Sequence, residues 1–140
     1  MAIIPYLLYE DVDAALKFLS KAFGFRKYGR SMRRPDGKIN HAAMKFGNDV
    51  VMMGCPPGSK YKNPKRLGQS TQSLYINVDN LDKHFERAKK SGAKILEEPA
   101  DQFYGHRRYG AEDPEGHQWY FAQDIKKPGV KRRAARRSNR

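Results

Sequence analysis

The chain has a single cysteine, a single tryptophan and no apolar run near the roughly 20 residues that a membrane-spanning helix needs. Cys55 alone excludes an internal disulfide and fits a reducing compartment. The first residues, Met1-Ala2-Ile3-Ile4-Pro5, lack the basic region and long apolar segment of a signal peptide. The expectation is a cytoplasmic protein with no membrane contact. Also missing are a Gly-rich phosphate loop, a Cys/His cluster at zinc spacing and a Ser-His-Asp order. Those gaps remove the commonest motif-based assignments.

Acids are scarce too, and this leaves a formal charge of +13 over 140 residues. Residues 124–140 carry eight Lys/Arg and one Asp, a net +7, so more than half of the excess sits in seventeen residues. From 126 to 140 there are too few apolar groups to bury, and self-repulsion extends the chain. A solvated, disordered tail is expected over 124–140, with a weak, salt-sensitive nucleic-acid or other polyanion contact through 126–140 as its functional reading.

What is present is organised around Glu112 to Gln123. Pro114 fixes one φ and Gly116 permits a positive one, so 113–116 is turn chemistry. The strand that follows alternates. Gln118, Tyr120 and Ala122 share one face, and Trp119, Phe121 and Gln123 the other. A shorter echo, Pro35-Asp36-Gly37 before Lys38-Ile39-Asn40-His41-Ala42, is the first sign of an internal repeat.

The rest of the chain fits that repeat. Residues 3–9 read as a strand and Asp11 or Asp13 as a helix cap. Ala15, Leu16, Leu19, Ala22 and Phe23 form an apolar stripe ended by Gly24. Strands are expected over 25–32, 39–46 and 50–54, and 56–68 reads as a mobile linker or flap. The second half restarts with a strand over 73–78, a helix opening at Asp79 to Asp82 and ending at Ser91-Gly92, and a strand over 93–97. A loop over 99–105 and strands over 107–112 and 118–123 complete it. The expectation is an α+β domain over 1–123. Two βαβββ modules, about 3–55 and 72–123, would form a cup-shaped mixed sheet able to admit a small molecule.

Pro5-Tyr6-Leu7 with Asp11-Val12-Asp13-Ala14-Ala15, His41-Ala42-Ala43-Met44 with Val51-Met52-Met53, and Phe103 to Arg107 with Glu112 to Tyr120 carry a family resemblance. Over residues 3–123 the chain resembles the vicinal-oxygen-chelate superfamily of glyoxalases, bleomycin-resistance proteins and extradiol dioxygenases. It is most similar to the small PhnB-type proteins. The resemblance implies the fold more strongly than an activity, because unrelated chemistries share this scaffold. Metal-dependent members hold a divalent ion with four His, Gln or Glu side chains. The matching places here are Ile4 or Pro5, Met52 or Met53, Ser73 and Tyr120, none of them a fitting ligand. No metal and no cofactor are expected.

Among candidate residues, His41 lies on a strand expected to line the cup, where an imidazole acts near neutral pH. The resemblance places Tyr120 on the cup floor, as a hydrogen-bond donor or general acid. These two are the expected catalytic pair if the protein is an enzyme. Met52, Ser73, Tyr75, Tyr104, His106, Arg107 and Gln118 are the expected ligand contacts. Arg107 and Arg108 alternate, so only one of them can face inward. His117, just past the turn glycine, is expected to be exposed, His84 to be solvated on its helix, and Cys55 to be a spectator thiol.

The leading reading is a metal-independent, small-molecule-binding protein of sequestration or resistance type, assembled as a homodimer. Its ligand would be apolar to aromatic with a polar or anionic end. A lyase or isomerase of glyoxalase type using His41 and Tyr120 is the alternative. A nucleic-acid-associated protein acting through its tail is the third.

Overall fold

The computed structural model describes residues 1–57 and 61–125. Its elements run β1 (Tyr6–Leu8), α1 (Val12–Phe23), β2 (Arg26–Lys27), β3 (Met32–Arg33), β4 (Ile39–Phe46), β5 (Asp49–Gly54) and α2 (Pro64–Leu67). The second module follows with β6 (Ser73–Asn77), α3 (Leu81–Lys90), β7 (Lys94–Asp101), β8 (His106–Glu112) and β9 (Gln118–Asp124). Of the basic tail expected over 124–140, Asp124 is instead the last residue of β9, held there by the β8 ladder, and residues 126–140 lie outside the described residues.

Two mixed sheets result. The first has the order β1-β5-β4-β2, with β3 also paired to β4; the second has the order β6-β9-β8-β7. In each, the first strand of the module runs parallel to the last, and the other pairs are antiparallel. The α+β class and the doubled module are therefore those of the sequence reading, with two separate sheets among the described residues rather than a continuous one.

Local chemistry explains most element ends. The Asp11 side chain accepts from the Ala14 amide at the start of α1, and Gly24 closes that helix at φ 82°. The Asn80 side chain does the same for α3 through the Lys83 amide. The helices bury Val12, Ala15, Leu16, Leu19, Ala22 and Phe23 from α1 and Leu81, Phe85 and Ala88 from α3. They pack on each other and on one face of both sheets. Phe23 meets the rings of Trp119 and Phe121, and Phe25 meets Trp119 and Phe46, so one core spans both modules.

Several expectations need correction. The strand expected over 25–32 is two short pairings, β2 and β3, separated by Tyr28 to Ser31. The loop expected from Pro99 is strand as far as Asp101. Here β7 is an edge strand whose pairing slips twice between Ile95 and Ala100, and an edge tolerates proline. Within the stretch read as a mobile linker, Asn63 caps a one-turn helix that starts at Pro64.

The turn at 113–116 ties the modules together. Buried Asp113 accepts from the Tyr9 hydroxyl, the Trp119 indole N–H and the amides of Glu115 and His117. The Glu115 carboxylate accepts from the amides of Glu10 and Asp11 ahead of α1, at 2.6 and 2.9 Å, and from the Asn63 amide group. Module two thus supplies the first turn of module one with a negative charge. His117 is buried rather than exposed, its Nε2 bonded to the Leu8 carbonyl at 2.7 Å.

Candidate functional site

Residues opposite each other in a ladder share a face, so register sorts the candidates. In the second sheet, Leu74, Trp119 and Ala111 form one row, and Ile76, Phe121 and Tyr109 another. These rows face the helices; Trp119, Phe121, Tyr109 and Ala111 have no exposed surface. The open face carries the alternate rows. Ser73, Gln118, Glu112 and Lys94 make the first, Tyr75, Tyr120, Gly110 and Glu97 the next, then Asn77, Ala122, Arg108 and Ala100, with His106 opposite Asp124 at the end. This sorting puts Ser73, Tyr75, His106, Gln118 and Tyr120 on one surface.

Arg107 is not on that surface. It pairs with Gln123 and Asp101 on the helix side and bonds Asp82 of α3 and Asp101, each at 3.0 Å. Those two carboxylates hold its guanidinium pKa above the ordinary value. Of the alternating pair, Arg108 takes the open face. It ion-pairs with Glu97 at 3.2 Å, lies 5.3 Å from the Tyr120 ring centre and donates to the Tyr104 hydroxyl.

On this face the polar groups connect in series. Asp124 takes a bond from His106 Nε2 at 2.9 Å. The carboxylate only accepts, so in the neutral imidazole Nε2 carries the hydrogen and Nδ1, 2.8 Å from the Tyr75 hydroxyl, accepts from it. Tyr75 lies 3.3 Å from the Tyr104 hydroxyl, which in turn accepts from Arg108. Burial first, then Tyr104, pushes the Tyr75 phenol up to about 12. It therefore keeps its proton at neutral pH. Tyr75 and Tyr104 each remain 46% exposed, and the Tyr75 and His106 rings stack at 6.0 Å.

Tyr120 sits flat in this surface. A Cβ on Gly110, directly across the ladder, would run into its ring, so only glycine lets the phenol lie over the β8 backbone. The first sheet repeats the device. The Tyr6 hydroxyl lies where a Cβ on Gly54 would be, 3.3 Å from His41 Nδ1. His41, Met52, Ala43 and Tyr6 share the open face there. The candidates thus fall into two contact groups, His41 with Tyr6 on the first sheet and Tyr75, Tyr104 and His106 with Arg108 and Tyr120 on the second.

Glu97 and Asp124 were missed by the sequence reading. The signal for Asp124 was the 113–116 turn, which fixes the register that sets it opposite His106. Glu97 appears only once the slipped pairing of β7 is known. His84, read as solvated, is half-buried: Nε2 meets the Phe23 carbonyl at 2.9 Å and Nδ1 the Tyr109 hydroxyl at 2.6 Å. Burial lowers its pKa, Arg87 adds to this and the bond to Phe23 opposes it. Cys55 is free and half-buried, and its carbonyl accepts from Arg34.

A divalent ion does not fit the family's positions in this chain. Proline or isoleucine, methionine, serine and tyrosine stand there, and hard or borderline cations need imidazole and carboxylate donors. Among the described residues, no three His, Cys, Asp or Glu side chains gather as a metal site. No helix among them is long and apolar enough to cross a membrane.

Paired βαβββ modules, each with a helix on one face of its sheet and an open polar–aromatic face on the other, define a fold class known from several enzymes and binding proteins. The chain belongs to the Glyoxalase/Bleomycin resistance protein/Dioxygenase superfamily, whose family model matches residues 4–121. Mb0911c of Mycobacterium bovis is 33% identical over 131 residues, covering 89% of this chain and 84% of that one. TioX from Micromonospora sp. ML1 superposes with a TM-score of 0.71 at 30% identity, over 89% of this chain and 99% of TioX. A PhnB protein from Bacillus cereus shares the fold at a TM-score of 0.65 and 15% identity, over 88% and 99% of the two chains.

Proposed function

We propose that the protein binds a small apolar-to-aromatic molecule with a polar end, without a metal, as a sequestration or resistance-type protein of the cytoplasm. The carrying observation is the flat Tyr120 ring over Gly110, beside the half-exposed phenols of Tyr75 and Tyr104. Together they offer a stacking floor edged by hydrogen-bonding oxygens. With its hydrogen on His106 Nδ1, the Tyr75 oxygen would serve a ligand as an acceptor beside the Tyr104 hydroxyl. Glu97 already neutralises Arg108, and this favours a neutral polar end over a strongly anionic one. A homodimer would complete the site, because the open face of the second sheet, which carries Tyr75, Tyr104 and Tyr120, would gain an opposite wall from a second chain.

Thermal-shift screening of aromatic compounds against the intact protein tests this. Hits should lose their shift in Tyr75→Ala and Tyr120→Ala, and Tyr120→Phe should weaken binding by about 1 kcal/mol if its hydroxyl bonds the ligand. Hits that keep full affinity in both alanine variants would refute the site. Light scattering should return a dimer mass at micromolar concentration; a monomer throughout would remove the shared wall.

A second reading, proton transfer of lyase or isomerase type, draws on the Asp124–His106–Tyr75 series. The Tyr75 oxygen would take a proton from the bound compound as its own hydrogen passes to His106 Nδ1, and Asp124 would hold the imidazolium that forms. His106→Gln would then abolish turnover of a bound carbonyl compound while leaving its binding intact.

A further inference from the structure

The charge of the protein body is concentrated in one place. Residues 26–45 hold seven Lys/Arg against Asp36 alone, a net +6, whereas the rest of residues 1–123 carries thirteen charges of each sign. All of the body's excess therefore lies on β2, β3 and β4 and the turns between them. Arg33 pairs with Asp13 and Arg34 with Asp36. Arg26, Lys27, Arg30 and Lys45 have no carboxylate partner among the described residues.

Their arrangement is not what folding alone would select. Arg26 stands directly opposite Lys45 in the β2–β4 ladder. Like charges facing each other across a ladder are destabilising. The nearest acid along that hairpin, Asp49, pairs with Phe46 and so falls on the other face. Lysines on an edge strand guard against edge-to-edge aggregation, which accounts for β2. It does not account for Lys45, because β4 is an interior strand flanked by β2 and β5. An aromatic ring is set among these cations. Tyr28 follows Arg26 by two residues, hangs on the Ala43 carbonyl by its amide, is 48% exposed and lies 4.9 Å from the Lys45 ammonium.

We propose that this strip docks a single-stranded nucleic acid, with Arg26, Arg30 and Lys45 on the phosphates and Tyr28 stacked on a base; Lys27, opposite buried Met44, points to the other face. Unpaired cations supply counterion release, and an exposed ring held among them supplies the sequence-tolerant platform that single strands use. The repulsion between Arg26 and Lys45 is relieved when a phosphate sits between them. The site is on the folded body and is separate from the basic tail.

Fluorescence anisotropy of the full-length protein with labelled 20-mers of dT and U tests the proposal. Arg26→Ser/Arg30→Ser/Lys45→Ser should weaken binding at least about 10-fold and reduce the slope of log K against log salt by about 2, at roughly 0.7 for each phosphate no longer neutralised. Its melting temperature should stay level or rise, because a repulsive pair is removed. Tyr28→Ala should weaken the single strand about 5-fold and leave a duplex of equal length nearly unaffected. Affinity and salt slope unchanged in the triple variant would overturn the assignment and leave any binding to the tail. Equal affinity for the duplex, for poly-glutamate or for anionic vesicles would overturn the single-strand assignment.

Discussion

The indole N–H of Trp119 and the hydroxyl of Tyr9 converge on the same carboxylate oxygen of Asp113, at 3.1 and 2.5 Å. Oδ2 of that residue thereby joins the last strand of the second module to the end of the first strand of the other. Burial and Asp113 together push the Tyr9 phenol well above its ordinary pKa, so it donates at every physiological pH.

Trp119→Ala should therefore be severely destabilising, by about 3–5 kcal/mol, through the cavity it leaves in the shared core. Tyr120→Phe, one residue on and facing the other way, should change stability by less than about 0.5 kcal/mol. Urea unfolding of the two variants checks the register; a reversed order would contradict it.

Glu115→Ala removes the acceptor of two backbone amides before α1 and of the Asn63 side chain. A loss of roughly 2 kcal/mol is expected, within the range for hydrogen bonds to a charged group. Glu115→Gln should recover part of it. If Glu115→Ala were neutral in chemical denaturation, the clamp between modules would be dispensable.

Alkaline sensitivity follows from the tyrosines. Tyr9, Tyr75 and Tyr109 all have pKa values raised first by burial, Tyr75 to about 12. The unfolded chain ionises its phenols near pH 10, so from there upward it releases protons that the folded state retains. Stability should be full below about pH 10 and fall as pH rises beyond it. Tyr75→Phe should move that limb to higher pH. Melting temperatures that stay flat from about pH 9 to 11 would contradict this.

At acid pH the sign reverses for His84. Burial depresses its folded pKa, so below about pH 6.5 the unfolded chain binds a proton that the folded chain resists. Stability attributable to this group is present above that pH and is lost as pH falls through the depressed value. Near-UV circular dichroism melts between about pH 7 and 5 should show the loss, and His84→Gln should flatten it. The ring is bonded to the Tyr109 hydroxyl and the Phe23 carbonyl and packs against the rings of Phe23, Phe46 and Phe121. The charge that acts on it, Arg87, is positive and reinforces the shift.

Alternation made β9 legible: a strand with Trp119 and Phe121 on one side and Tyr120 on the other can be read without coordinates. Helix stripes and caps were legible for the same reason, since they depend on neighbours three or four residues away. His84 was misread because Lys83 and Glu86 lie beside it, although it falls between Leu81 and Ala88 at helical spacing. What buries it, the Tyr109 hydroxyl and the Phe23 carbonyl, comes from elsewhere in the chain. His117 fails in the same way, its partner being the carbonyl of Leu8. Asn63-Pro64 carried a helix-start signal that the surrounding Lys, Gly and Pro obscured. Choosing Arg108 over Arg107 required the register of β8, which alternation alone leaves ambiguous by one residue.

The Glu115 clamp also orders events during synthesis. The amides of Glu10 and Asp11 are matched to a carboxylate 105 and 104 residues further along the chain. At about 5–20 residues per second, the ribosome delivers that carboxylate roughly 5–20 s after the first helix has been made. Until then the start of that helix has only Asp11 to cap it, and Phe23 has neither Trp119 nor Phe121 to cover it. The nascent first module must therefore be shielded, or remain loosely formed, until the last turn of the second has been translated.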